Sequence, residues 1–345
     1  METRYLIVDE YGSYLRKHSE RLVLHRGKEL VAEAPLLTLE GVIVADRGTS
    51  LSADAVAACA EAGIPIHFVH SSGHVSASIF SAGLTGTVQT RRAQLQAADD
   101  GRSIVLAKAF ATGKVLNQAA LLRYLAKYRK ERAPALYARL EDAARTVAAA
   151  VRELHRLGTQ PTAACIAEEI CPQILAIEGR AAAGYWEAIR AVVKVPADWP
   201  GRTGRGATDP VNAALNYGYG ILYSQVERAI VLAGLDPYAG FIHADRPGKP
   251  SLVCDLIEEF RAPVVDRTIF AMINRGTQLA QDEENLLVKE TRRAIAEAVL
   301  ERLDRPERYE RKKVALRHII QCQARHIATF VRGERMTYRP FVVRW

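Results

Sequence analysis

Val75-Ser-Ala-Ser-Ile-Phe80 is a short apolar run, and soon after it Val88-Gln-Thr-Arg-Arg-Ala-Gln-Leu-Gln-Ala-Ala98 begins a different pattern. Short apolar runs bounded by turn residues are typical of β-strands. The Ala-, Leu- and Arg-rich stretches that follow repeat about every 3.6 residues, as helices do. The change near residues 82–90 predicts an α+β multidomain chain, with a small β-sandwich-like N-terminal domain over 1–85 and a larger all-α domain over 86–345.

Working outward from this change gives a map of elements. The expected strands cover 5–8, 22–24, 36–44, 64–69 and 75–80, and a short helix runs from near Asp54 to Gly63. The expected helices cover 88–98, 101–128, 133–157, 162–192, 210–234, 251–275, 281–303 and 307–331. Asp209 before Pro210 predicts a helix start with Asp as N-cap, and Ser251 predicts another N-cap.

Composition narrows the class of protein. The chain has 345 residues, 49% of them hydrophobic and 25% charged, which is ordinary for a soluble globular protein. Lys and Arg number 47 against 39 Asp and Glu, so the net charge of +8 favours a polyanionic partner without identifying one. No apolar run approaches the roughly 18 residues of a membrane span, and the first residues lack a signal-peptide pattern. We therefore expect a cytoplasmic protein with no membrane partner.

The cysteines and the known motifs exclude several kinds of site. The five cysteines are odd in number and form no Cys-x-x-Cys pair, so we expect reduced thiols rather than disulfides or a zinc site. The chain also lacks a Walker-type phosphate loop, a Gly-x-Gly-x-x-Gly fingerprint and a Gly-x-Ser-x-Gly nucleophile elbow. Nucleotide-hydrolase, dinucleotide-binding and α/β-hydrolase chemistry are therefore not indicated.

Residues 195–208 interrupt the helical pattern with several Pro and Gly residues, and Arg202 and Arg205 lie between them. The segment is expected to be a mobile basic loop. It either closes over a phosphate backbone or is a plain solvated connection.

Three acidic residues lie on one side of the helix expected at 251–265. Asp255, Glu258 and Glu259 are opposite its apolar face, and Asp255 and Glu258 are spaced to point toward one centre. The alternative is a solvated acidic face, and periodicity does not choose between Glu258 and Glu259. Pro263 should kink or end this helix and so aim its carboxylates inward.

Two further residues complete a possible metal site. His243 precedes that helix, although a histidine after two apolar residues is also explained by packing. Glu178 lies in a helix of apolar and small residues, where it is either exposed at the edge or needs a partner. Two carboxylates and an imidazole suit Mg²⁺ or Mn²⁺ better than a soft metal. In a basic protein, such a site points to phosphodiester chemistry.

Three stretches together resemble the CRISPR-associated integrase family, the first of the Cas proteins. They are Ile177-Glu-Gly-Arg-Ala-Ala-Ala-Gly-Tyr-Trp186, Asp209-Pro-Val-Asn-Ala-Ala-Leu-Asn-Tyr-Gly-Tyr-Gly-Ile-Leu222, and Gly240-Phe-Ile-His243 followed by Ser251-Leu-Val-Cys-Asp-Leu-Ile-Glu-Glu-Phe-Arg-Ala-Pro-Val-Val-Asp-Arg267. Their order and spacing, together with a β domain before a helical one, extend the resemblance over nearly the whole chain.

The resemblance assigns residue roles. It implies that Glu178, His243 and Glu258 bind the metal, in favour of Glu258 over Glu259, and that Asp255 lies beside the site. Arg246, Lys249 and Arg261 are candidates for neutralising DNA phosphates, and Arg202 and Arg205 of the basic loop are further possible DNA contacts. Tyr217 either contacts DNA or packs within its helix.

The resemblance also implies an activity and partners. Such proteins are metal-dependent DNA endonucleases and integrases, in which the 3′-hydroxyl of a short prespacer duplex attacks a phosphodiester of the CRISPR repeat. They work as homodimers through the N-terminal β domain, and a dimer of a small ferredoxin-like CRISPR protein bridges two of them. The alternatives left open are a structure-specific repair nuclease on branched DNA and a non-catalytic basic DNA-binding scaffold.

Overall fold

The chain divides into two compact units, each held together by its own internal contacts. The computed structural model describes residues 4–45, 47–81, 87–158, 169–196, 199–204, 206–243 and 247–345. One unit comprises residues 1–84, 207–224 and 279–297, and the other comprises 85–206, 225–278 and 298–345. The first unit therefore takes in two segments from the helical part of the sequence. The predicted separation into domains over 1–85 and 86–345 stays a prediction.

The first unit holds the strands. They are β1 (Tyr5–Val8), β2 (Ser13–His18), β3 (Arg21–Arg26), β4 (Glu29–Pro35), β5 (Gly41–Val44), β6 (Ser50–Leu51), β7 (Ile66–Val69) and β8 (Val75–Ile79). One four-stranded sheet has the order β1-β5-β7-β8, and the other has the order β4-β3-β2-β6. β1 pairs parallel with β5, and β5 with β7, whereas β7 and β8 form an antiparallel hairpin.

A single apolar core draws on both sheets and on α1 (Ala53–Glu61). It includes Leu6 of β1, Leu15 of β2 and Cys59 of α1. Ser52 caps α1 by accepting a hydrogen bond from the Ala55 amide, and Gly63 follows its end with a φ of +67°. Only glycine adopts such a backbone conformation without strain, so the predicted helix stop at Gly63 is confirmed.

The second unit is mainly helical. Its helices are α2 (Thr87–Ala98), α3 (Gly101–Lys127), α4 (Pro134–Arg156), α5 (Cys171–Val192), α7 (Ser251–Ile257), α8 (Arg267–Asn274) and α10 (Leu316–Val331). Two more helices, α6 (Pro210–Leu232) and α9 (Lys289–Asp304), begin in the first unit and end in the second. α3 packs against α4 and α5, and this arrangement positions the candidate site.

The predicted helix over 251–275 is interrupted. α7 ends at Ile257, and a π-helical segment over Arg261–Asp266 separates it from α8. Pro263 lies inside this segment and has no amide hydrogen to donate, so the predicted break occurs there. The Ser251 N-cap prediction is wrong, because Pro250 is at that position and no side chain caps the helix. The Asp209 cap is confirmed, since its Oδ1 accepts the Asn212 amide at 2.8 Å.

The C-terminal region is not all helical, contrary to prediction. Residues 306–315 form a hairpin of β9 (Pro306–Tyr309) and β10 (Lys312–Ala315), and only then does α10 begin. Glu310 and Arg311 both have positive φ, the conformation of a tight two-residue hairpin turn. Because neither residue is Gly or Asn, the usual sequence signal for this turn is missing. α9 likewise begins at Lys289 rather than 281, after a turn in which Asp282 Oδ1 accepts the Glu284 and Leu286 amides.

The coarse prediction is confirmed: a strand-rich N-terminal region precedes a mostly helical one. The more specific description as a β-sandwich stays a prediction. Within the described ranges, no helix is long and apolar enough to cross a membrane. The four described cysteines are free thiols, as predicted, and Cys165 lies outside the described residues.

Candidate metal centre

The turn after α7 places the side chains of Glu258 and Glu259 in different surroundings. The amides of Glu258, Glu259 and Phe260 each bond the carbonyl three residues earlier, at 3.3, 3.3 and 2.9 Å. This tightening rotates the chain away from a regular α-helix before the π-helical segment widens it again. The side chains of Glu258, Glu259 and Asp255 are all buried. The alternative that periodicity left open, a solvated acidic face, is therefore wrong.

Glu258 lies in a cluster of charges. Its Oε2 is 2.9 Å from Lys114 Nζ, and its Oε1 is 3.2 Å from Arg261 Nη1. Burial opposes ionisation of this carboxyl, but the charges of Arg261 and Lys114 outweigh it and hold the pKa of Glu258 at about 2. Glu258 is therefore an ionised carboxylate inside the protein, 4% exposed.

Glu178 on α5 faces the same lysine. Its Oε1 accepts a hydrogen bond from Lys114 Nζ, while its Oε2 is buried and has no hydrogen-bond partner among the described residues. Burial raises the pKa of this carboxyl above its usual value. A buried carboxylate oxygen without a partner is costly. Oε2 of Glu178 is therefore an oxygen that could accept a ligand in the interior.

Lys114, on α3, is the residue that sequence reasoning missed. Burial alone would lower its pKa, but the carboxylates of Glu258 and Glu178 outweigh that effect and raise it. The signal was present in the sequence, because Lys114 follows Phe110 and precedes Val115 on the buried side of a long apolar helix. A lysine at such a position needs anionic partners.

Asp255 holds both the backbone and the imidazole ring of His243. Its Oδ2 accepts the amides of Phe241 and Ile242 at 2.6 and 3.0 Å. Its Oδ1 accepts the His243 amide at 3.2 Å and lies 2.6 Å from Nδ1 of the same residue. The fully buried Asp255 carboxylate therefore selects the imidazole tautomer with a proton on Nδ1 and leaves Nε2 with its lone pair free to bind a metal.

The donor atoms of these side chains are of the kind that a hard divalent cation prefers, although Lys114 lies between the two glutamates. Within the described ranges, no three His, Cys, Asp or Glu side chains lie close enough together to hold a metal ion as they stand. The Lys114 ammonium supplies the positive charge that the two glutamates require. The free Oε2 of Glu178 and the oriented imidazole of His243 are oxygen and nitrogen donors suited to Mg²⁺ or Mn²⁺.

The remaining predicted site residues are in varied settings. Arg261 pairs with Glu258, and Lys249 is half-buried in the loop before α7. Arg202 is half-buried in the predicted basic loop, and Arg205 and Arg246 lie outside the described residues. Tyr217 belongs to the strand-rich unit and is 1% exposed, as its packing interpretation requires. The structure therefore groups Glu178, Glu258 and Arg261 around Lys114.

Glu259 anchors the back of the turn in a polar network that the sequence did not indicate. Its Oε1 accepts the Tyr338 hydroxyl at 2.6 Å, and its Oε2 accepts Gln323 Nε2 and the Phe341 amide, both at 2.8 Å. Asn117 Nδ2 donates to the Glu259 carbonyl at 2.8 Å. These bonds hold the turn at Glu259, next to Glu258 in the chain.

Comparison with known proteins gives the family. The family model for CRISPR associated protein Cas1 matches residues 6–301. A CRISPR-associated endonuclease Cas1 of Archaeoglobus fulgidus is 36% identical over 99% of both chains. Another, from Francisella tularensis subsp. novicida, is 32% identical over 99% of this chain and all of the relative.

Solved structures share the fold. A casposase bound to integration product superposes with a TM-score of 0.82 at 21% identity, covering 98% of this chain and 93% of the casposase. A Cas1 protein from Thermotoga maritima gives 0.74 at 19% identity, over 98% of this chain and all of that one. A Cas6-RT-Cas1–Cas2 complex also gives 0.74 at 19% identity, over 99% of this chain but 36% of that one. With its family match and near-full-length relatives, the chain belongs to the Cas1 family, whose curated members are CRISPR-associated endonucleases.

Proposed function

We propose that the chain is a metal-dependent DNA endonuclease and integrase of CRISPR adaptation, which inserts short DNA spacers into the CRISPR array by transesterification. The supporting comparisons are its full-length endonuclease relatives and a fold shared with a casposase bound to its integration product. The observation that carries the proposal is the buried pair Glu178 and Glu258, which share the counter-charge of Lys114 in a basic chain.

In this proposal Glu178, Glu258 and His243 hold Mg²⁺ or Mn²⁺, with Asp255 behind the histidine. When bound, the ion polarises the scissile phosphate, activates the attacking 3′-hydroxyl and stabilises the leaving oxygen. The chain's own task is to present the donors in fixed directions. Asp255 Oδ1 keeps the proton on Nδ1 of His243, so that Nε2 is the ligand atom.

In this proposal the cations near the glutamates bind the phosphates of the DNA. Arg261 is about one-third exposed while it pairs with Glu258, so its guanidinium is positioned between the buried carboxylate and solvent. In the proposed reaction Arg261 and Lys249 neutralise the phosphates of the DNA backbone on either side of the reacting bond. The basic loop with Arg202 contributes to the same surface charge.

The proposal extends to assembly. The chain forms a homodimer through its strand-rich N-terminal region, and a small ferredoxin-like partner, Cas2, bridges two dimers. A solved structure of a Cas6-RT-Cas1–Cas2 complex that contains a chain of this fold supports the pairing. The substrates are a prespacer duplex and a repeat-containing CRISPR array.

The test is an integration assay with a labelled prespacer duplex, a repeat-containing plasmid and Mn²⁺, with and without the partner. Glu178→Gln, His243→Ala and Glu258→Gln should each abolish strand joining. Glu187→Gln is the matched control, since Glu187 is an exposed glutamate on the same helix. The catalytic assignment fails if joining survives all three changes.

The same assay separates the alternatives. A structure-specific repair nuclease would cleave branched DNA with the same metal dependence but would show no preference for the repeat. A non-catalytic scaffold would bind the duplex and show no metal-dependent strand chemistry even without mutation.

A further inference from the structure

A second charged site lies in the helical unit, where the C-terminal end of α3 meets the last residues of the chain. A cavity of about 360 Å³ is lined there by α3, α4 and the C-terminal segment. Arg123 is the first cationic residue of this cavity on α3. It follows Lys114 by nine residues, which is about 13 Å along a helix axis. The cavity therefore uses none of the side chains of the candidate metal centre.

The charge of this cavity is strongly positive. Four cationic side chains line it, and the only acidic side chain among its lining residues is Glu141. The cations are Arg123, Lys127, Lys130 and Arg344. The lining side chains thus carry four positive charges and one negative charge, and all four cations are exposed. In the part of the chain that the structure describes, none of these four side chains forms an ion pair, so their charge is available to an anion.

Two aromatic residues that line the cavity, Tyr124 and Trp345, share one cationic partner. The Arg267 guanidinium lies 4.5 Å from the Tyr124 ring centre and 4.6 Å from that of Trp345. Glu307 ties the group together, because its Oε1 accepts a hydrogen bond from Trp345 Nε1 at 3.2 Å and from Arg267 at 3.4 Å. An aromatic pair held in this way needs little reordering when a ligand binds.

We propose that this cavity binds a nucleotide, either free or at the end of a DNA single strand. The rim cations Arg123, Lys127, Lys130 and Arg344 hold the phosphate, and the base packs against Tyr137 and Trp345. Unpaired cations beside aromatic rings are the combination that recognises single-stranded nucleic acid, since phosphates bind the charges and bases stack on the rings. The volume is at the lower end of the range for small-molecule sites, as a single nucleotide requires. The site is independent of the proposed function and needs neither metal nor strand chemistry.

The test measures binding by the full-length protein in EDTA, which removes any contribution of a divalent metal. Fluorescence anisotropy follows a labelled deoxynucleoside monophosphate in one arm and a labelled five-nucleotide single strand in the other. The pocket variant is Lys127→Glu with Arg344→Glu. The control is Lys28→Glu with Arg190→Glu, which changes the net charge equally at two exposed positions that do not line the cavity.

The pocket variant should bind about tenfold or more weakly, while the control stays within about twofold of the unmodified protein. For the single strand, log K falls linearly with the logarithm of the salt concentration. Loss of two phosphate contacts should make that slope less steep by about 1.4. Binding of the monophosphate identifies a free-nucleotide site, and binding of the single strand alone identifies a strand-end site. The milder Lys127→Gln with Arg344→Gln keeps the test valid if charge reversal impairs folding.

Equal affinities of the pocket and control variants for both ligands would overturn the proposal, as would no binding of either ligand. The Glu178→Gln protein should bind both ligands normally in this assay. That result separates a failure of this proposal from a failure of the proposed strand chemistry.

Discussion

Lys114 lies in the interior of the helical unit between two carboxylates, and a charge at such a depth is tolerated only when it is paired. Its ammonium balances Glu178 and Glu258 without satisfying every oxygen of the pair, since Glu178 Oε2 has no hydrogen-bond partner among the described residues. In the proposed site, a divalent cation would take over the electrostatic role of this lysine.

Replacing Lys114 by Met should show this relation directly. Without divalent cations, Lys114→Met should lower the free energy of unfolding by about 3–5 kcal/mol, because it leaves buried Glu178 without its counter-charge and Glu258 with Arg261 alone. Mn²⁺ should restore much of the loss, since it binds the folded state only. Urea unfolding with and without Mn²⁺ measures both effects.

Lys108→Met is the control on the same helix, because Lys108 donates to the carbonyls of His155 and Leu157 and pairs with no carboxylate among the described residues. Its stabilisation by Mn²⁺ should equal that of the unmodified protein and be smaller than that of Lys114→Met. An equal response of the two variants to the metal would contradict the assignment of Glu178 and Glu258 as ligands.

Asp255 should govern how well the site binds its metal. Asp255→Asn keeps the shape of the side chain but places an amide where both oxygens now accept hydrogen bonds from backbone and imidazole. The imidazole then loses the partner that fixes its tautomer, and we expect metal affinity to fall about 10–100-fold. The Mn²⁺ concentration for half-maximal strand cleavage reports this. Asp54→Asn, at an exposed position, should leave it unchanged.

At the level of single residues, part of the site could be predicted from the sequence. The motifs identified Glu178, His243, Asp255 and Glu258, but helical periodicity alone could not separate Glu258 from Glu259. The separation depends on a short tightened turn followed by a π-helical segment, and on the partners that hold Glu259. Those partners, such as Tyr338 and Phe341, are distant in sequence, so no local pattern contains them.

Among the elements, the β7–β8 hairpin and α6 approach each other through two glycines. A Cβ on Gly220 would overlap the Gly73 carbonyl oxygen, and a Cβ on Gly73 would overlap the backbone of Asn216. Gly73 also has a φ of +82°, which side chains rarely adopt. The contact is backbone against backbone, so neither partner can move a flexible side chain out of the way.

Gly220→Ala should therefore destabilise the protein by more than 1 kcal/mol, as overpacking does. In most helix interiors the same change stabilises by about 0.5–1 kcal/mol. Gly184→Ala on α5 is the matched control, because its Cβ would meet only Val147 at an ordinary 3.9 Å. Thermal unfolding of the two variants should shift in opposite directions. A stabilising Gly220→Ala would show that the hairpin and α6 are not in contact.

The elements also show where sequence patterns stop being informative. Long helices such as α3 and α4 were predicted within a residue at each end, because a helical pattern runs through the whole of each element. The β9–β10 hairpin was missed, since its turn uses Glu310 and Arg311 in a conformation that favours Gly and Asn. Pairing with the neighbouring strand, and not local preference, determines that turn.

On the scale of the whole molecule, composition marked the change from strands to helices but not the grouping of segments. Residues 207–224 and 279–297 have helical patterns, yet they belong to the unit that holds the sheets. Within that unit Lys289 Nζ lies 2.7 Å from Glu10, and Arg293 lies 3.7 Å from the buried Asp9. Such long-range pairs cannot be inferred from local periodicity.

This grouping predicts that residues 1–85 will not fold to native stability alone. The fragment leaves Asp9 buried without its counter-charge and exposes the surface that α6 covers around Gly73. We expect broad amide signals in its NMR spectrum and a urea midpoint well below that of the full chain. Adding a peptide of residues 279–297 should sharpen the spectrum, because it returns Lys289 and Arg293. The same peptide with both residues changed to Ala should have a weaker effect. A fragment that is well folded by itself would instead establish residues 1–85 as an autonomous domain, with the two later segments as additions to its surface.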